Sequence, residues 1–289
     1  MLEFKLNKTY VGDCMKLSKK IPDNFVDLVV TSPPYADTVS YGESVKTYSP
    51  DRYVDWFLPL FKESDRFLKD TGSFILNIND RVVNGERQIY AFKLVNKIVN
   101  NTNLKLYDRY IWFKKSALPM PGDKRLNDRI EYIFHFVKDP KNFKCTTDRI
   151  REPYKEISLR RFKSKVHGND IVKKDGTTKL SQRGSSKPHP KGKKPITVFR
   201  FNTGSALRGN EHPAPFHPDL PAFFVKWLTD KEDVVLDPFM GSGTVAIVAE
   251  KMKRKYLGFE INERYIDLIK KRMKKYREKD KKLSKYIKS

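Results

Sequence analysis

The segment KEDVVLDPFMGSGTVAIVAEKMKRKYLGFEI, late in a 289-residue chain, restricts the fold more than any other feature. Its pattern reads as an apolar strand at residues 234–236, a glycine-bearing turn at 237–243, a helix at 244–253 and a second strand at 256–260. Gly241, Gly243 and Ala246 satisfy GxGxxA. Glu260 follows Gly241 by 19 residues, near the spacing at which an acid meets ribose hydroxyls in nucleotide-binding units. Such a loop suits an adenosine-containing cofactor. Only one strand follows the loop in the sequence, too little for half of a doubly wound sheet. The remaining strands are therefore expected from upstream, in permuted order, with residues 1–140 supplying them.

The loop also selects among ligands. It lacks the GK[ST] lysine that reaches nucleotide phosphates, which argues against a P-loop. Asp237, immediately before the turn, is unfavourable beside a pyrophosphate and favourable beside a cation. A cofactor carrying an ammonium and a sulfonium fits this acid better than a dinucleotide does.

A second sharp feature lies in FVDLVVTSPPYADTVSYGES. The continuous apolar run at 25–30 predicts a buried parallel strand, and Pro33 and Pro34, lacking N–H groups, end it in a rigid turn. Ser32 contributes a hydroxyl and Tyr35 an aromatic face. A planar base with an exocyclic amine could stack on Tyr35 while Ser32 Oγ and the Pro33 carbonyl accept its N–H protons. A proline-braced turn after a strand also occurs for structural reasons alone; the cofactor loop and the basic segment between the two motifs favour the chemical reading.

Charge is unevenly distributed. With 59 Lys and Arg against 35 Asp and Glu, the net charge is +24, of which residues 141–208 carry +14 and residues 251–289 carry +11, leaving the rest at −1. The middle segment mixes Lys and Arg with Tyr154, Phe162 and His167 among scattered Gly, Pro and Ser, as a loop-rich nucleic-acid-binding insertion would; a flexible linker is the alternative. Arg160, Arg161, Lys163, Lys165, Arg183, Lys187, Lys191, Lys193 and Lys194 are its candidate DNA contacts. The last segment reads as a helix with Ile261, Tyr265, Leu268, Ile269, Arg272 and Met273 on one stripe, its lysines forming a solvated face or a second phosphate contact. No apolar run approaches the ~18 residues of a membrane span, and the N-terminus lacks a signal-peptide core. Cys14 and Cys145 form no metal-ligand or disulfide pattern, so a cytoplasmic location and no metal are expected.

TSPPY at 31–35 and DPFMGSGT at 237–244 resemble the catalytic and cofactor motifs of amino-group DNA methyltransferases, and their order resembles the permuted beta group of that family. The resemblance spans nearly the whole chain except 141–208. GDC at 12–14, TGSFILNIND at 71–80, RYIWFKK and DRIEYIFHFVK within 109–138, and HPAPFHPDLPAFFVKWLT at 212–229 fall in the matching order. It implies a Rossmann-like α/β fold with a doubly wound, mostly parallel sheet, divided into a catalytic half at 1–140, a target-recognition region at 141–208 and a cofactor half at 209–289. It implies S-adenosylmethionine as cofactor, held by Asp13, Thr31, Asp237, Pro238, Phe239, Gly241, Ser242, Gly243, Thr244 and Glu260, with Ser32, Pro33, Pro34 and Tyr35 catalytic. Double-stranded DNA is the implied substrate, and a restriction endonuclease is a candidate partner. SPPY in this family goes mostly with N4-cytosine methylation, and N6-adenine is the alternative. Neither cysteine follows a proline, which disfavours C5 attack. An NAD-dependent oxidoreductase would leave TSPPY and the basic insertion unexplained, and a non-enzymatic DNA-binding protein would explain the charge alone.

Overall fold

The computed structural model describes residues 4–36, 48–115, 124–163, 171–172, 178–179, 187–202 and 217–288. The chain divides into two compact units, one of Met1–Cys145 with Thr197–Ser289 and one of Thr146–Ile196.

In the larger unit β1 (Lys8–Val11) leads into a one-turn helix α1 (Cys14–Leu17), followed by β2 (Val26–Thr31), α2 (Pro50–Phe67) and β3 (Leu68–Ile78). A short hairpin, β4 (Arg81–Val83) with β5 (Glu86–Gln88), precedes α3 (Tyr90–Asn101), β6 (Lys105–Lys114) and β7 (Ile130–Val137). The smaller unit holds α4 (Glu156–Lys163) and a second hairpin, β8 (Ile171–Val172) with β9 (Thr178–Lys179). The chain returns through β10 (Val198–Phe201), α5 (Asp219–Leu228), β11 (Val234–Asp237), α6 (Thr244–Lys251), β12 (Lys255–Glu260) and α7 (Glu263–Lys288).

Among the described residues eight of these twelve strands form one sheet in the order β1-β12-β11-β2-β3-β7-β6-β10, and the two hairpins stand apart from it. Every neighbouring pair is parallel except those made by β7, which runs against both β3 and β6. The C-terminal strands β11 and β12 insert between β1 and β2, so the sheet is completed by both ends of the sequence, as the permuted order requires.

Continuous apolar runs make the central strands because both faces are buried. On β2, Val29 faces one core while Leu28 and Val30 face the other; on β3, Phe74 and Leu76 face the first and Ile75 the second. The first core is covered by α2 and α3 through Phe57, Phe61, Leu94 and Ile98, and the second by α5, α6 and α7 through Phe224, Val245 and Ile269. The expected doubly wound, mostly parallel α/β architecture is thus the observed one.

The expected stripe on α7 is buried at Leu268, Ile269 and Met273. The helix begins at Glu263, leaving Ile261 outside it and 43% exposed, while Ile266, Leu268, Ile269 and Met273 are buried. Ile266, absent from the expected stripe, joins the same buried face.

The smaller unit has a built interior. Tyr154 meets Phe162 edge to face at 5.3 Å, and Tyr154 Oη accepts from the His189 backbone N–H at 3.0 Å. The two rings pack against one another. Glu152 and Lys193 form a two-way backbone bridge, and Gly192 beside it has φ +101°, where a Cβ would lie 2.2 Å from Glu152 O. Only glycine fits that crossing.

Candidate active site

Three carboxyl-terminal strand ends converge. Asp237 closes β11, Thr31 closes β2 and Glu260 closes β12. Thr31 Oγ1 donates to Asp237 Oδ1 at 2.8 Å, and the Phe239 backbone N–H donates to the same oxygen at 3.0 Å. Asp237 is 1% exposed, and burial, with a smaller contribution from Glu260, pushes its carboxyl up to about 7. Glu260 accepts from the Gly241 N–H through Oε2 at 2.7 Å and from the Asn262 N–H through Oε1 at 2.9 Å. Its carboxyl is also raised by burial. Two buried acids at the ends of adjoining strands form an electronegative cradle, and among the described residues neither is paired with a side-chain cation.

The turn between them is shaped by glycine. Gly241 and Gly243 have φ of +51° and +80°, and a Cβ on Gly243 would meet Ile269 of α7 at 3.0 Å. Gly243 therefore permits both the left-handed entry into α6 and the close seat of α7. Arg272, also on α7, donates through Nη1 to the Ser242 carbonyl and to Ser242 Oγ, the latter at 2.6 Å. Burial lowers its pKa, and its guanidinium is spent on Ser242. Phe239 packs against Phe57 and Trp56 at 5.6 and 6.0 Å, anchoring the front of the turn to α2. Ser242 and Thr244 are buried in the same turn, which Pro238 opens.

The proline turn leaves β2 beside this cradle. The Pro34 carbonyl accepts from Tyr53 Oη at 2.9 Å, tying the turn to α2, whereas the Pro33 carbonyl accepts no hydrogen bond among the described residues. Ser32 and Tyr35 are half-buried, and their oxygens lie 3.3 Å apart. Tyr35 Oη donates to Glu131 Oε2 at 2.6 Å, and Asn77 Nδ2 reaches Ser32 Oγ, Tyr35 Oη and Glu131 Oε2 at 3.3, 2.9 and 2.6 Å. Lys114 Nζ lies 2.7 Å from Glu131 Oε1. Asn77 on β3, Glu131 on β7 and Lys114 on β6 were not among the sequence candidates. A polar residue in the middle of an apolar strand, as in FILNI and RIEYI, is the signal that marks two of them.

Asp13 caps α1, accepting from the Met15 N–H at 2.9 Å, and lies just beyond Val11, which pairs with Glu260. Val11 and Ile261 are both exposed apolar side chains at this edge. Of the candidate DNA contacts, Arg160 pairs with Glu156 at 2.6 Å, Lys191 with Asp148 at 3.1 Å and Lys193 with Glu152 at 3.2 Å. Lys187 and Lys194 are exposed, and neither has an ion-pair partner among the described residues. Arg161 and Lys163 lie on α4. Lys165, Arg183 and His167 fall outside the described residues.

A mainly parallel sheet covered on both faces, with a glycine turn and acids at adjoining carboxyl ends, is the Rossmann-like architecture of methyltransferases. Within that class the DNA methylase family model matches residues 26–271, and the chain belongs to this family as a site-specific DNA methyltransferase. It is 29% identical to the type II methyltransferase M.PvuII of Proteus hauseri over 283 residues, covering 89% of this chain and 80% of that one. It is 26% identical to the DNA adenine methyltransferase YhdJ of Escherichia coli (strain K12), covering 89% and 79%. The fold matches that of the PvuII DNA methyltransferase (cytosine-N4-specific) with a TM-score of 0.69 at 24% identity, covering 93% of this chain and 89% of that one. It also matches a putative DNA modification methylase from Thermus thermophilus complexed with S-adenosyl-L-methionine, with a TM-score of 0.62 at 23% identity over 93% of both chains.

Proposed function

We propose that this chain methylates the exocyclic N4 amine of cytosine in a specific double-stranded DNA sequence, as the modification component of a restriction–modification system with a cognate endonuclease. The observation that carries the reading is the turn after β2. Ser32 is half-buried and the Pro33 carbonyl accepts no hydrogen bond among the described residues, so a hydroxyl and a carbonyl acceptor are available for the two protons of a planar amine. The SPPY tetrapeptide and the cytosine-N4-specific PvuII relative favour cytosine; the adenine enzyme YhdJ keeps N6-adenine as the alternative.

The cofactor is S-adenosylmethionine, which supplies an electrophilic methyl group. The donor set fits it. Both hydrogen bonds to Asp237 fall on Oδ1, leaving Oδ2 for the methionine ammonium, and a carboxyl raised by burial gains most from an incoming cation. Glu260 receives the ribose hydroxyls, Asp13 and the exposed Ile261 flank the adenine, and the backbone from Phe239 to Thr244, with Pro238, shapes the wall along the methionine. Thr31 keeps Asp237 oriented. Ser32 and Pro33 align the amine lone pair, Pro34 holds the turn rigid and Tyr35 supports the flipped base, so most of the rate enhancement comes from positioning.

The basic unit 146–196 belongs to the target-recognition region and contacts DNA phosphates, and the protein acts in the cytoplasm. Among the described residues no helix is long and apolar enough to cross a membrane. The test is direct: genomic DNA incubated with the protein and labelled cofactor is digested to nucleosides and resolved by mass spectrometry. N4-methylcytosine is expected. N6-methyladenine as the sole product overturns the cytosine assignment, and no incorporation in any DNA overturns the reading.

A further inference from the structure

Methyl transfer to an amine leaves a proton to be disposed of, and the polar cluster beside the proline turn has a defined direction for it. Tyr35 has one hydroxyl hydrogen, and its short contact with the carboxylate of Glu131, at 2.6 Å, uses it. Tyr35 Oη can then enter its other contacts only as an acceptor. Asn77 Nδ2 donates to it at 2.9 Å, and in the 3.3 Å contact with Ser32 the hydrogen must come from Ser32 Oγ. Asn77 Nδ2 also approaches Ser32 Oγ at 3.3 Å. The serine oxygen is thus oriented with its hydrogen toward Tyr35 and a lone pair left for an outside donor.

The end of the chain of hydrogen bonds is built as an acceptor. Glu131 is 7% exposed, yet Lys114 Nζ holds Oε1 at 2.7 Å while Oε2 receives both Tyr35 and Asn77. Buried carboxylates are costly unless paired and hydrogen-bonded, and here both oxygens are engaged. A structural role alone would be met by the Lys114 pair; it gives no reason for the carboxylate to reach the hydroxyl of the residue that ends SPPY.

We infer that Ser32, Tyr35 and Glu131 form a proton relay that carries the amine proton from the methylated base to the Glu131 carboxylate, with Asn77 and Lys114 as its positioning residues. The inference rests on the amine-methylation reading of the same turn. As the nitrogen–methyl bond forms, the sulfur–methyl bond breaks, the sulfur keeps that electron pair, and the nitrogen lone pair is consumed. The resulting cationic amine is a far stronger acid than a carboxylic acid. Its N–H electrons return to nitrogen as the proton passes to Ser32 Oγ, the Ser32 hydrogen passes to Tyr35 Oη, and the Tyr35 hydrogen passes to Glu131 Oε2. Glu131 ends neutral, Ser32 and Tyr35 end as they began, and the proton leaves to water when the product departs.

Single-turnover methyl transfer with saturating DNA and cofactor tests this in the wild type, Glu131→Gln, Tyr35→Phe and the double variant. Cofactor affinity by calorimetry and thermal melting are read alongside. The relay predicts a loss of about 100-fold in each single variant, the scale of positioned proton transfer. The double variant should be no slower than the slower single one, because either change cuts the same path. The wild-type rate should slow in D2O, and that effect should vanish in Glu131→Gln while cofactor affinity stays within about twofold, a span under about half a kcal/mol. A carboxyl infrared band appearing after one turnover in the wild type and missing in Glu131→Gln is the second, non-kinetic readout. Full single-turnover rate in Glu131→Gln, or fully additive losses in the double variant, overturns the relay. If Glu131→Gln fails to fold, Tyr35→Phe decides through the same loss of the D2O effect. A wild-type protein that methylates no base sinks the functional reading itself, whereas an active wild type with an indifferent Glu131→Gln sinks only the relay.

Discussion

Thr31 Oγ1 at the end of β2 donates to Asp237 Oδ1 at the end of β11, a 2.8 Å bond between residues 206 positions apart. It joins the strand that carries the proline turn to the strand that carries the glycine turn, so the two motifs are fixed relative to one another through side chains as well as through the β2–β11 ladder.

Asp237 should make the ligand-free protein less stable as pH rises. Its folded carboxyl is raised from the ordinary value of 3.8 to about 7 by burial. Between those limits the folded state holds a proton that the unfolded chain releases, so stability declines with increasing pH, by up to about 1.4 kcal/mol per pH unit. Above the upper limit the loss levels off. Asp237→Asn removes the titrating group, and Glu260 contributes in the same direction in both proteins. Urea denaturation across the range should therefore show wild type losing stability relative to Asp237→Asn on going from mildly acidic to neutral pH. Parallel curves would remove the buried-acid account. Bound cofactor should flatten the wild-type dependence, since a cation favours the ionised acid.

Arg272 should matter to cofactor affinity although it lies on the tail helix. Its guanidinium is bonded to the Ser242 carbonyl and hydroxyl, and it holds the outer side of the glycine turn. Arg272→Met leaves a buried carbonyl short of a charged donor, a change worth about 1.5–3 kcal/mol. The expected result is a rise of about tenfold or more in the cofactor dissociation constant by calorimetry, with single-turnover rate at saturation nearly unchanged. An unaltered dissociation constant would show that the turn holds its shape without α7.

Much of this arrangement could be read before the fold was known because the decisive elements are local. DPFMGSGT and TSPPY each carry strand, turn and chemistry within a few residues, and uninterrupted apolar runs announce strands buried on both faces. The cluster around Glu131 could not be read in that way. Tyr35, Asn77, Glu131 and Lys114 meet only because β3, β7 and β6 lie side by side, and strand order is a property of the sheet rather than of any segment. The same holds for charge. Summing lysines and arginines over 141–208 gave a basic segment, but Asp148 alone engages Arg151 and Lys191, and that neutralisation is visible only in three dimensions.

Gly192 should be the weak point of the small unit. With φ +101° and Glu152 O 2.2 Å from where a Cβ would sit, Gly192→Ala must open the Glu152–Lys193 bridge or distort the backbone. Limited proteolysis read by mass spectrometry should show new cleavage within 146–196 while the sheet unit stays intact. The same cleavage pattern as wild type would mean that the bridge relaxes without cost.

Lys187 and Lys194 should carry more of the DNA affinity than their paired neighbours. A lysine that neutralises a phosphate releases condensed counterions, and each such contact contributes about 0.9 to the slope of log affinity against log salt. Lys191 and Lys193 already compensate Asp148 and Glu152, so engaging a phosphate requires giving up an existing partner. Lys187 and Lys194 have no such partner among the described residues. In fluorescence anisotropy titrations over a range of salt, Lys187→Ala and Lys194→Ala should each lower the slope by about one, with the double variant lowering it by about two. Lys191→Ala should change it less, because removing that lysine also uncovers Asp148 and leaves a local repulsion that weakens binding at every salt concentration. Equal slopes in wild type and the double variant would assign the phosphate contacts to other cations of the chain.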